Sequence, residues 1–95
     1  MRVLVKQEDF LTVSYELIVG KEALEFSGKA SFSLPYSLVR DFCITKDKRG
    51  KTYFTTICDG KMIEGQIVDG AEADSFAARL KAKLGGVIHI EIRKY

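Results

Sequence analysis

One imidazole, His89, two thiols, Cys43 and Cys58, and two close carboxylate pairs, Glu8/Asp9 and Glu72/Asp74, are the groups with which this chain could do covalent, acid–base or metal chemistry. A nucleophilic triad would have to use His89, because a hydroxyl or thiol needs an adjacent base and that base needs an orienting partner. The sequence holds no G-x-S-x-G elbow, and neither cysteine sits in an activating context. One His and two separated Cys do not make a closed zinc spacing. The carboxylate pairs read as solvated turn and helix-start charges. Gly85-Gly86 precedes a strand rather than opening a helix, and the helix start near Asp69-Gly70 is already acidic, so no phosphate cradle is expected. The expectation is a non-enzyme with no catalytic residue, cofactor or metal, in which His89 is a solvated strand residue beside Glu91 and Arg93.

The basic run Lys46-Asp47-Lys48-Arg49-Gly50-Lys51 is the best lead toward a ligand. Lys46, Lys48, Arg49 and Lys51 at a hairpin tip would meet anionic lipid head groups, each worth ~1 kcal/mol near such a surface. A charged tip equally discourages edge-to-edge aggregation. Nucleic-acid platforms need exposed rings interleaved with cations. Tyr53 and Phe54 follow Lys51, but in a strand one of the two must face the core. A single ring remains, and a net charge of +2 is small for a polyanion partner, so nucleic acid is not expected.

The elements that must position these groups follow from periodicity. Ninety-five residues, 46% hydrophobic and 29% charged, describe one folded domain rather than a disordered chain. Leu11, Val13, Tyr15, Leu17 and Val19 alternate with Thr12, Ser14, Glu16 and Ile18, the period of a half-buried strand. Gly20-Lys21 suits a type II′ turn. Leu24 and Phe26 continue the apolar face, Ser27-Gly28 is a second turn, and Ala30, Phe32 and Leu34 share a side. Pro35-Tyr36-Ser37 makes a corner, since proline cannot donate to a ladder. Residues 40–46 and 52–58 flank the basic loop, with Phe42 and Ile44 inward and Asp41, Cys43 and Thr45 outward. Asp59-Gly60 is a type I′ signal, because both central residues need positive φ. Residues 62–68 return, with Gly65 marking close backbone approach.

At Asp69-Gly70 the period changes to 3.6. Ala73, Phe76, Ala77, Leu80 and Leu84 form one stripe of a helix over 71–84, with Asp69 as N-cap and Glu72 completing a capping box. Gly85-Gly86 supplies a left-handed stop. Residues 87–95 alternate again, Ile88, Ile90 and Ile92 on one face and Val87, His89, Glu91 and Arg93 on the other. Residues 1–6 are a shorter candidate strand. No apolar run reaches the ~18 residues of a membrane span, and the start is too short for a signal peptide, so a cytoplasmic location with two free thiols is expected. The fold class is α+β, mostly β: a strongly bent antiparallel sheet or partly open barrel of six to eight short strands capped by one amphipathic helix.

This succession resembles the pleckstrin-homology-like superfold, in particular its bacterial PH and GRAM-like branch. The resemblance covers residues 11–84. It rests on the hairpin of residues 11–26, the crossover Phe32-Ser33-Leu34-Pro35-Tyr36-Ser37-Leu38-Val39-Arg40-Asp41-Phe42, the hairpins of residues 46–68, and the helix with Phe76 and Leu80. It implies a non-catalytic interaction module. Lipid-binding members typically use a basic first hairpin, whereas the basic loop here belongs to a later one. That fold also usually ends with its helix, yet an alternating strand follows here. Either the two ends pair with each other or extend the sheet, or Val87, His89, Glu91 and Arg93 form an edge that pairs with a protein partner or a second copy. Two functions are therefore expected in order: protein binding or self-association through a sheet edge, then contact with an anionic membrane through residues 46–51.

Overall fold

The computed structural model describes residues 1–8 and 10–94. Along the chain run β1 (Arg2–Glu8), β2 (Leu11–Val19), β3 (Ala23–Ser27), β4 (Phe32–Pro35), a 3-10 turn (Tyr36–Leu38), β5 (Val39–Lys46), β6 (Thr52–Cys58), β7 (Lys61–Ile67), a second 3-10 turn (Gly70–Glu72), α1 (Ala73–Leu84) and β8 (His89–Lys94). The eight strands form one open sheet in the order β4-β3-β2-β1-β7-β6-β5-β8. The mostly-β, α+β architecture is as expected from the periodicity.

The sheet is mixed rather than wholly antiparallel. β8 runs parallel to β5, from Asp41 beside His89 to Lys46 beside Lys94. A parallel partner needs a crossover of a dozen or more residues, and α1 supplies it. The two ends therefore do not pair with each other. β1 lies between β2 and β7, and β8 extends the sheet beyond β5.

Ring contacts show how far the sheet curls. Phe26 on β3 and Phe54 on β6 have centroids 6.4 Å apart. Four strand steps separate them in the sheet, about 19 Å if it were flat. Strong coiling brings the two arms together around a chain of rings, Phe32–Phe26–Phe54–Phe42–Phe76. A bulge at Arg40 shifts the register between Val39 and Asp41, so that both Val39 and Phe42 point inward.

The helix stripe Ala73, Phe76, Ala77, Leu80 and Leu84 is buried throughout, with Phe76 at 5.5 Å from Phe42. The Asp69 carboxylate accepts from the Ala71 N–H at 3.0 Å, capping the 3-10 turn that leads into α1. Two turn expectations are corrected. Gly85 is right-handed at φ −57°, and the chain leaves α1 through the N–H groups of Val87 and Ile88, both donating to the Leu84 carbonyl. With those bonds made, no left-handed residue is required. Gly20 likewise has no positive φ, so the type II′ turn is not formed. Its loop is longer, with the Gly20 N–H donating to Ala23 O at 3.0 Å, and glycine is needed for space, since a Cβ would stand 2.7 Å from that same oxygen. Asp59-Gly60 does adopt the expected turn, with φ of 52° and 76°.

Candidate functional site

The two faces of β6 show how the surface is laid out. Thr52, Phe54, Thr56 and Cys58 are buried, which turns Tyr53, Thr55 and Ile57 to the outer face. The same alternation turns Leu4, between buried Val3 and Val5, and Lys6, just after Val5, outward from β1. Register then aligns Leu4, Gln66 and Tyr53 in one row across β1, β7 and β6, with Glu64 and Thr55 in the next. These residues floor an open groove of about 480 Å³. The Lys6 ammonium and Glu64 carboxylate form an ion pair at 3.4 Å within it. Phe10, beyond the end of β1, lines the same groove and is fully exposed.

Phe10 is the residue that sequence reasoning missed. It precedes the alternating run of β2, so periodicity places it on neither face. The sole signal for it was its position between Glu8 and Leu11, where a large ring has no partner in the pattern. Tyr53 is the exposed member of the Tyr53–Phe54 pair at 38%, as strand geometry required.

The basic loop is a hydrogen-bonded turn. Its geometry is set by Asp47, whose Oδ1 accepts from the N–H groups of Arg49 and Lys51, both at 2.9 Å, and by Gly50 at φ 84°. Lys48, Arg49 and Lys51 are exposed there and line a depression shared with Tyr53. Lys46 does not belong to the tip. Its ammonium turns back to Asp74 at the start of α1, 3.1 Å away.

On β8 the outer-face residues His89, Glu91 and Arg93 form a ladder of their own. Glu91 accepts from Arg93 Nε at 3.1 Å and lies 3.4 Å from His89 Nε2. These contacts, Arg93 first, hold the Glu91 carboxyl below its ordinary range. Val87 is exposed but precedes the strand. Among the described residues β8 is the last strand of the sheet, with β5 on one side and no strand on the other.

The remaining candidates are dispersed. Cys43 lies across from Thr55 and Cys58 across from Val39, too far along the ladder for a bridge. Burial pushes both thiols up, away from the reactive thiolate. Glu72 and Asp74 are exposed at the start of α1, and Asp9 of the first carboxylate pair lies outside the described residues, as does Tyr95. Among the described residues no group of three His, Cys, Asp or Glu could hold a metal ion, and no helix is long and apolar enough to cross a membrane.

Three surface features thus stand together: a ring-flanked groove, a hydrogen-bonded basic turn beside it, and an edge strand two positions along the sheet from β6. No protein-family model, curated protein or solved structure matches the chain.

Proposed function

We propose that this protein is a non-catalytic interaction module of PH-like, GRAM-like build that binds a protein segment, or a second copy of itself, along the open edge of β8. The observation that carries this reading is the position of β8 at the end of the sheet, where β5 is its one neighbouring strand among the described residues. An edge strand presents unpaired backbone donors and acceptors, the template for strand addition. The opposite edge, β4, is only four residues long and ends in Pro35, which blunts it. The PH-like part of the reading is supported by the run of hairpins through β4 and from β5 to β7 and by the single helix packed against the bent sheet, while β8, following that helix, is a departure from it. A cytoplasmic setting belongs to the same proposal, in keeping with two free thiols.

The test is a concentration series by light scattering, with amide exchange read at His89–Lys94. Association that protects the β8 amides supports the reading. A monomer whose β8 amides stay equally exposed at every concentration removes the second copy as occupant. If extended peptides also leave those amides unprotected, the edge-binding reading falls.

A second reading, contact with an anionic membrane, is favoured by the exposure of Lys48, Arg49 and Lys51 on one hydrogen-bonded turn. Three such residues are worth roughly 3 kcal/mol near an anionic surface. Co-sedimentation with anionic vesicles that disappears in Lys48→Glu/Arg49→Glu supports it, and indifference to those changes excludes it.

A further inference from the structure

We propose that the outer face between Phe10 and Tyr53 binds single-stranded nucleic acid, with bases stacked on the two rings and phosphates held by Lys48, Arg49 and Lys51. This site is separate from the β8 edge and does not depend on it. Single-strand sites combine sequence-tolerant stacking on aromatic faces with cations that follow the backbone, and both parts adjoin here. Tyr53 lines the groove on one side and the depression of the basic turn on the other, so a base against its ring would place the next phosphate at Lys48, Arg49 and Lys51. None of these three cations is in an ion pair among the described residues, and the nearby Asp47 carboxylate turns its Oδ1 to the backbone N–H groups of Arg49 and Lys51. Lys46, by contrast, is neutralised by Asp74.

The groove, at about 480 Å³, falls within the ~300–1,000 Å³ range of small-ligand sites, room for a base or two. Its floor offers the Gln66 amide and the Thr55 hydroxyl, which can meet base edges. That floor also argues against a bilayer as occupant. Pressing the face into acyl chains would bury Gln66, Thr55 and the Lys6–Glu64 pair away from water. A strand of nucleotides leaves them solvated. Phe10 supplies the second ring that a stacking platform requires.

The test is fluorescence anisotropy of a labelled hexathymidylate against the full chain, across a salt series. Three phosphate contacts predict that log K falls with log salt at a slope of about −2, since each contact on a single strand contributes about −0.7. Phe10→Ala and Tyr53→Ala are each expected to weaken binding by roughly fivefold or more without changing that slope, and Tyr53→Phe to restore it. Lys48→Ala/Arg49→Ala is expected to cut the slope to about −0.7. Thermal melts identical to the parent show that the variants fold, as exposed side chains predict. No binding at low salt, binding indifferent to both rings, or capture by anionic vesicles with none by the oligonucleotide would each overturn the proposal.

Discussion

Gly65 is a position where backbone chemistry dictates the residue. It lies across from both Val5 and Phe54, in the inward-facing row of the sheet. A Cβ there would run into the Leu4 carbonyl oxygen and stand 3.0 Å from the Phe54 ring. Gly65→Ala is accordingly expected to destabilise the fold by about 1–3 kcal/mol, the usual range for overpacking, measured by urea unfolding. A lone glycine in an alternating run marks this close approach in the sequence itself. Phe10 had no comparable mark, because alternation speaks only for residues within a strand. Phe10→Ala is expected to leave stability within about 0.5 kcal/mol, as for other exposed sites. Glu91 offers a titration. Its carboxyl is held low by Arg93 and then His89, so the folded chain binds this proton more weakly than the unfolded chain. The resulting stabilisation is present above the unfolded carboxylate range and is lost as pH falls through the lowered folded value. Carboxyl NMR should find Glu91 titrating below a typical glutamate, and Arg93→Gln should raise it.

Among the elements, α1 was the most legible and β8 the least. The helix announces itself because five apolar positions repeat at 3.6 and all five are buried. Phe76→Ala removes the ring that links the helix to Phe42, at a cost of about 3–5 kcal/mol. Against a total stability of roughly 5–15 kcal/mol, that variant is expected to lose much of its near-UV signal and melt far lower. Alternation in residues 88–92 correctly gave a strand but could not give its direction. Parallel pairing is decided by where the crossover delivers the chain, which is a tertiary matter. The same limit explains Gly85 and Gly20. Glycine permits a left-handed residue without requiring one, and at both positions the constraint was space against a neighbouring carbonyl. Lys46 shows the converse. Sequence adjacency put it with the basic turn, whereas the bend of the sheet over α1 gave it to Asp74.

At the scale of the whole molecule, the open sheet closes over its own core without joining its edges. The central strands β1, β7 and β6 are expected to show the slowest amide exchange and β4 the fastest, a gradient that exchange mass spectrometry resolves. Placing β1 in the middle has a kinetic consequence. Val3 meets Ile67 and Val5 meets Gly65, partners about sixty residues apart along the chain. Joining them costs ~2.5 kcal/mol more in chain entropy than closing a tight hairpin. The hairpins can therefore flicker into place quickly while the β1–β7 seam waits for a rare encounter. Stopped-flow refolding is expected on the millisecond-to-second scale, with Val5→Ala slowing the folding limb more than it speeds unfolding. Microsecond relaxation would mean that the seam forms last, after the barrier has been crossed.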